Sequence, residues 1–131
     1  MRFRFLVLAT LLSLPSVAAA EMSVVFEWGK IPRCTTGRPN AVPNPEFILK
    51  DVPENTTHLL FRMIDLDNPG ANHGSKRLKL NVTGDVVIPS GVFRYASPCP
   101  KNAIHTYEWR VSALNGYQHI ITAWRRRNYP E

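Results

Sequence analysis

The sequence lacks the motifs that identify most hydrolases and nucleotide-binding enzymes. It has no Gly-x-Ser-x-Gly stretch, no glycine-rich phosphate loop and no histidine pair at the His-x-x-x-His spacing. Cysteine and glycine are scarce, with two and seven residues in a chain of 131. Nothing in the chain compels catalysis, and a binding protein is the simpler interpretation.

Helical periodicity is also scarce. Apolar and β-branched residues alternate or run in short segments, as in 23–29, 57–67 and 77–82, and eleven prolines interrupt them at short intervals. This pattern predicts a single antiparallel β-sandwich or barrel with little helix, and it argues against an alternating α/β domain. The segment 116–127 fits either a strand or a short helix.

The first twenty residues differ in character from the rest. Arg2 and Arg4 precede an apolar run, which is followed by small residues up to Ala20. A charged, an apolar and a small-residue region in this order predict a cleaved signal peptide over 1–20 and an exported domain over 21–131, periplasmic or secreted. A short uncleaved anchor is the alternative. Loss of the two arginines would lower the formal charge from +6 to +4.

The two cysteines, Cys34 and Cys99, are widely separated in the chain. In an oxidising compartment an isolated pair predicts a disulfide, and the long loop that it would close predicts stabilisation by a few kcal/mol. The alternative is a reactive Cys99 with His105 as its base.

Polar residues occur at two places where strands are expected to begin or end. Asp65 and Asp67 share one face at the exit of a predicted strand, where they either cap a turn or line a polar site. His105 and Tyr107 share one face of the predicted strand 105–114, directly after a loop with two prolines. A buried structural histidine is the alternative for His105.

Three stretches in this order resemble the phosphatidylethanolamine-binding family, which includes the Raf kinase inhibitor proteins, and in particular its short exported bacterial forms. DLDNP at 65–69 resembles an Asp-Pro-Asp-Ala-Pro motif, and NHG at 72–74 stands where the family has a pocket histidine. SPCPKNAIHTYEW at 97–109 resembles a Gly-Pro-x-Pro loop followed by His-x-Tyr. The resemblance implies a β-sandwich with a shallow pocket for anionic groups.

The resemblance also implies which residues form this pocket. The implied ligand-binding residues are Asp65, His73, Ser97, Pro98, His105 and Tyr107. Imidazole N–H and phenol O–H groups can donate to an anionic oxygen, while Asp65 fixes the tautomer of a histidine. The chain departs from the family motifs at Leu66, which replaces a proline, and at Ser97, which replaces a glycine. No cofactor and no catalytic residue are implied.

The resulting prediction is an exported, non-enzymatic protein that binds a small anionic ligand, either a phospholipid head group or a carboxylate. One alternative is an inhibitor that contacts a protein partner through the pocket rim. Another is a metal-dependent hydrolase in which Asp65 and the two histidines hold zinc. The basic triplet Arg125, Arg126 and Arg127 predicts a solvated tail or a peripheral membrane contact, and a nucleic-acid partner is not expected for an exported chain.

Overall fold

The computed structural model describes residues 11–15 and 21–131, so the predicted signal peptide, residues 1–20, lies largely outside the described residues. Within these ranges the chain forms nine strands and no helix. The described residues therefore contain no helix that could cross a membrane. The strands are β1 (Ser23–Phe26), β2 (Ala41–Pro43), β3 (Phe47–Val52), β4 (His58–Asp65), β5 (Ser75–Lys79), β6 (Gly84–Ile88), β7 (Arg94–Ala96), β8 (His105–Asn115) and β9 (Gln118–Tyr129). The mainly β fold class is confirmed.

The strands pair antiparallel in three sheets. The largest has the order β5-β4-β8-β9, the second β1-β3-β6, and β2 pairs with β7. The Phe47 ring of β3 lies 5.0 Å from the Phe61 ring of β4 and 5.1 Å from the Trp109 ring of β8. The two larger sheets therefore share one aromatic core, as expected for an antiparallel sandwich.

Burial along the central strands follows the period of two that the sequence indicated. In β8 the core-facing residues Tyr107, Trp109 and Val111 are each almost fully buried. Arg110, between them in sequence, faces solvent. Each large apolar side chain removed from water contributes about 1.5–3 kcal/mol, so this alternation fixes which face of β8 packs on the second sheet.

The segment 116–127, which fitted a strand or a helix, forms the hairpin loop at 116–117 and most of strand β9 from Gln118 onward. It pairs with β8 from Asn115 opposite Gln118 to His105 opposite Tyr129. The hairpin loop is Gly116-Tyr117, and Gly116 has a φ of 59°, a conformation that glycine adopts without steric cost. The two-residue loop connects β8 directly to β9. In the four-stranded sheet β9 pairs with β8 alone and is therefore an edge strand.

One carboxylate on the polar face of β8 is buried. Glu108 is 3% exposed, and its two oxygens accept hydrogen bonds from the Nε atoms of Arg110 and Arg126. Burial by itself would raise the pKa of Glu108, but the hydrogen bonds and positive charges of Arg126 and Arg110 outweigh it, so the pKa lies below its ordinary value. Glu108 is therefore ionised and holds two arginines from neighbouring strands.

Cys34 and Cys99 form the predicted disulfide, with 4.6 Å between their Cα atoms. It joins the loop between β1 and β2 to the loop between β7 and β8. Because the sulfur of Cys99 is bonded, the alternative of a nucleophilic Cys99 thiolate activated by His105 does not apply to this structure.

Replacing both cysteines, as Cys34→Ala with Cys99→Ala, is expected to lower the free energy of unfolding by about 4 kcal/mol, because the bond closes a long loop in the unfolded chain. Urea unfolding monitored by tryptophan fluorescence measures the change. Dithiothreitol should shift the wild-type midpoint to that of the double variant and leave the variant unaffected. Equal midpoints for both proteins would contradict the prediction.

Replacing Glu108 with Gln is expected to cost about 2 kcal/mol of stability at pH 7, because two charge-assisted hydrogen bonds are weakened. The pKa of Glu108 is lower in the folded state than its ordinary value of 4.5, so the contribution is present above that pH and is lost as the pH falls through the folded-state pKa. The gap between wild type and variant should therefore narrow in acid. Glu54→Gln, at an exposed position, is the control; a gap independent of pH would contradict the prediction.

Candidate functional site

Four of the six residues that the resemblance implied line one open hollow with a volume of about 310 Å³. They are Asp65, His73, His105 and Tyr107. Two loops supply much of the remaining wall, through Gly37, Pro39, Cys99, Pro100 and Lys101. Side chains from distant parts of the sequence thus meet at one place.

The pairing of β4 with β8 brings three of these residues together. Asp65, the last residue of β4, lies directly opposite Tyr107 in the antiparallel register. His105 precedes Tyr107 by two positions and so points to the same side of the sheet. The Leu66 amide donates to the Thr106 carbonyl at 2.9 Å, which continues the pairing past the end of β4.

The Asp65 carboxylate has two separate tasks. Its Oδ1 accepts hydrogen bonds from the backbone amides of Asp67 at 2.9 Å and Asn68 at 3.1 Å, which closes the turn after β4. Its Oδ2 lies 2.7 Å from the Nδ1 of His105. Because an ionised carboxylate only accepts hydrogen bonds, Nδ1 of His105 carries a hydrogen. Asp65 therefore has both of the roles considered in the sequence analysis: it caps the turn and it lines the polar hollow.

His73 is held in a similar way by a backbone carbonyl. Its Nδ1 lies 2.8 Å from the Ala96 carbonyl oxygen, and the Ala96 amide donates to the His73 carbonyl at 3.1 Å. A carbonyl can only accept, so Nδ1 carries the hydrogen. His73 is 3% exposed, and its Nε2 is buried without a hydrogen-bond partner. A buried nitrogen without a hydrogen-bond partner costs about 1–3 kcal/mol of folding free energy. His73 Nε2 is therefore an energetically unfavourable group in the pocket wall.

Tyr107 lies between the two imidazoles. Its ring centroid is 5.6 Å from that of His73, edge to face, and 6.2 Å from that of His105. Burial raises the pKa of the Tyr107 phenol above its ordinary value, and the negative charge of Asp65 raises it further, while a backbone hydrogen bond at Cys99 acts in the opposite direction. The phenol is therefore protonated at neutral pH.

Ser97 and Pro98, the other two residues that the resemblance implied, are fully buried and are not among the residues lining the hollow. Ser97 Oγ accepts a hydrogen bond from the Asn40 amide at 3.0 Å, and the Ser97 amide donates to the Asn40 carbonyl at 2.8 Å. These bonds tie the proline-containing loop to the segment before β2. The loop reaches the hollow through its next three residues, Cys99 to Lys101.

The structure does not gather the zinc ligand set of the metal alternative. One ligand atom each of Asp65, Asp67 and His105 lies within 4.8 Å of the others, and His73 is not in this cluster. Hydrogen bonds account for the cluster, since His105 contacts Asp65 and the Thr106 amide donates to Asp67 Oδ2 at 2.7 Å. A metal ion at this position would have to displace these bonds.

The basic triplet Arg125, Arg126 and Arg127 is part of β9, so successive side chains point to opposite sides of the sheet. Arg126 contacts Glu108 on the outer side. Arg127 donates to the Phe26 carbonyl at 2.6 Å and pairs with Glu131 at 2.7 Å. The triplet is therefore not one solvated tail.

A scan against models of known protein families gives no match, and a search of curated proteins gives none either. Among solved structures, the chain is similar to a proposed phosphatidylethanolamine-binding protein homolog from Chlamydia trachomatis. The TM-score is 0.59 at 16% sequence identity, and the match covers 87% of this chain and 99% of that one. At this identity the similarity shows the fold alone, and it confirms a sandwich of the phosphatidylethanolamine-binding type.

Replacing Asp65 with Asn is expected to reverse the tautomer of neutral His105. The Asn oxygen can still accept from the turn amides, but its NH₂ group then donates toward His105 Nδ1, which has to accept, so the hydrogen moves to Nε2. Long-range ¹H–¹⁵N spectra of the imidazoles distinguish the two forms. His73, held by the Ala96 carbonyl, is the internal control and should not change. An unchanged His105 pattern would contradict the role given to Asp65.

Proposed function

We propose that this chain is an exported, non-enzymatic binding protein that holds a small anionic group, a phosphate or a carboxylate, in the hollow lined by Asp65, His73, His105 and Tyr107. The observation that carries the proposal is the common orientation of the two imidazoles. Each has its Nδ1 engaged by a fixed acceptor inside the protein, at 2.8 Å in His73 and 2.7 Å in His105. In each ring Nε2 is therefore the nitrogen that these acceptors leave unengaged, and in His73 this atom is buried.

The buried Nε2 of His73 favours a ligand in this pocket. Both oxygens of Asp65, by contrast, already have partners within the protein. A ligand atom at Nε2 would satisfy the nitrogen that the fold leaves without a partner. The similar chain from Chlamydia trachomatis is described as a proposed phosphatidylethanolamine-binding protein homolog, which supports a phosphate head group as the ligand.

The tautomers have a consequence for anion binding. In a neutral imidazole with a hydrogen on Nδ1, Nε2 presents a lone pair and can only accept. A fully ionised phosphate or carboxylate also presents only lone pairs, so a proton must lie between the ligand and each Nε2 that it contacts. This proton comes from solvent or arrives on the ligand. Binding of the dianion is thus coupled to proton uptake, and the resulting charge-assisted hydrogen bonds are the strong ones.

The same geometry supports binding rather than chemistry. Asp65 is engaged by a turn and by His105, the Tyr107 phenol is held protonated, and Cys99 is in a disulfide. None of these groups has the free lone pair and the adjacent base that an activated nucleophile needs. Export is supported by the predicted signal peptide and by the disulfide.

Calorimetric titration with phosphoethanolamine at pH 6 and pH 8 tests the proposal. Affinity is expected to rise by up to about tenfold per pH unit as the pH falls, if one proton is taken up with the ligand. Running each titration in two buffers of different ionisation enthalpy measures that proton directly. Inorganic phosphate and acetate, titrated in parallel, separate recognition of a head group from recognition of the anion alone.

His73→Ala and His105→Ala should each weaken binding at least about tenfold, because each removes one charge-assisted hydrogen bond. His119→Ala is the matched control, since His119 is exposed on β9 and does not line the hollow. Absence of binding to all three anions at both pH values, or an affinity that does not rise as the pH falls, would reject the proposal.

A further inference from the structure

Charge is distributed unequally between the two sheets of the sandwich. Strands β4, β5, β8 and β9 contain eight Lys and Arg residues, against only Asp65 and Glu108. Strands β1, β3 and β6 contain one lysine and two aspartates. The four-stranded sheet therefore has a large excess of positive charge, and its two acidic residues are both buried.

The cations lie side by side on the outer face of this sheet. In the antiparallel register Arg62 of β4 is directly opposite Arg110 of β8, and Arg110 is opposite Trp124 of β9. Arg77 and Lys79 of β5 are opposite outward residues of β4. Like charges on directly opposed residues destabilise a sheet. Arg110 is paired with Glu108, whereas Arg62 forms no salt bridge within the described residues.

Glu108 fixes part of this charged surface. It contacts Arg110 and Arg126 through Nε, one of the five N–H donors in each guanidinium. The two arginine side chains are 44% and 54% exposed, while that of Glu108 is 4% exposed. The guanidinium groups are therefore held in place by a carboxylate beneath them and remain open to acceptors from outside. Planar guanidinium groups match the oxygen geometry of phosphate.

An exposed indole adjoins these cations. Trp124 is 56% exposed, whereas Trp28 and Trp109 are buried in the core. The Arg126 guanidinium lies 4.7 Å from the Trp124 ring centroid. At the hairpin tip, Arg77 lies 4.1 Å from the ring centroid of Tyr117, which is 89% exposed. The face thus combines cations with tryptophan and tyrosine, the residues that favour a membrane–water interface.

We propose that this outer face, formed by Arg62, Arg77, Lys79, Arg110, Trp124 and Arg126, docks on the surface of an anionic phospholipid bilayer. The cations attract the lipid phosphates, and the indole inserts at the head-group level. Single-stranded nucleic acid would also use cations and exposed rings, but a nucleic-acid partner is not expected for the exported chain proposed above.

The positive charge of this face affects the pKa of a neighbouring histidine. His58, at the start of β4, lies opposite Lys79 in the register. Burial lowers the pKa of His58, and the positive charges of Arg77 and Lys79 lower it further. The docking face differs from the triplet Arg125–Arg127, because of those three residues only Arg126 points to the outer side with Glu108.

The test uses the full chain with vesicles of phosphatidylcholine alone and of phosphatidylcholine with phosphatidylglycerol. Binding is followed by co-sedimentation and by tryptophan emission. Trp124 is the exposed tryptophan of the three, and residues 1–20 contain none, so a blue shift on binding reports the docking face. We expect binding and a blue shift with the anionic vesicles only, both reduced by high salt. Equal binding to neutral and anionic vesicles would overturn the proposal.

Arg62→Glu with Lys79→Glu reverses two exposed charges without removing a partner of the buried Glu108, and it should weaken binding by at least about 30-fold. Lys30→Glu with Lys50→Glu is the matched control, because both lysines are exposed, lie outside the four-stranded sheet and give the same change in net charge. Binding by the control should stay within about twofold of wild type if docking is confined to this face. Equal losses in both variants would overturn the proposal.

Two further measurements distinguish membrane docking by this face from nucleic-acid binding and from ligand binding in the pocket. A single-stranded oligonucleotide that binds as tightly as the vesicles, with the same sensitivity to Arg62→Glu and Lys79→Glu, would overturn the membrane assignment. Arg62→Glu with Lys79→Glu alters the docking face but no residue of the hollow, so it should leave the calorimetric titration with phosphoethanolamine unchanged. The docking proposal and the proposed pocket function can therefore be rejected independently of each other.

Discussion

The pocket depends on one carboxylate at the junction of two strands. Asp65 ends β4, closes the following turn with one oxygen and holds His105 with the other. A single side chain thus determines where β4 stops, how the chain leaves it and which nitrogen of His105 is available. Because the turn amides fix the carboxylate, the imidazole is oriented before any ligand arrives, and little conformational entropy remains to be lost on binding.

The disulfide extends the same pre-organisation to the rim. Gly37 and Pro39 belong to one loop in the wall of the hollow, and Pro100 and Lys101 belong to another; both loops lack regular structure. Cys34 and Cys99 join these two loops covalently, and the bonds between Asn40 and Ser97 join them again. A domain of this size has a limited core with which to hold long loops. The crosslink therefore supports both the fold and the shape of the pocket mouth.

Much of this could be predicted from residues that are close in sequence. Period-two alternation identified β8 and placed His105 and Tyr107 on one side, and the redox argument identified the disulfide. Asp65 could be singled out because strands disfavour aspartate. Placing it beside His105 required the register of β4 with β8, which is a property of the folded sheet and was implied only by the resemblance.

The residues that sequence reasoning misplaced or missed are those whose role depends on a neighbouring strand or loop. Ser97 and Pro98 were expected to bind the ligand, but both are buried, Ser97 is bonded to Asn40, and the loop lines the hollow through Cys99, Pro100 and Lys101. Glu108 lies at a position that the period-two alternation predicts to be exposed. Its burial is explained by Arg126, which lies opposite it on β9. The basic triplet was predicted to be a solvated tail because its local composition does not indicate that it pairs with β8 as part of β9.

In the two proposals made above, strand β8 contributes to two different kinds of anion recognition. Its inward residues include Tyr107 at the pocket, and its outward residues include Arg110 on the docking face. The proposed pocket offers imidazole nitrogens that need a proton before they can hold an anion, so we expect it to select for protonation state and shape. The outer face offers permanently charged guanidinium groups on an open surface, so it responds to charge density and is sensitive to salt. Because alternate side chains of a strand point to opposite sides, the two surfaces share a strand but no residue, and substitution of one does not require the loss of the other.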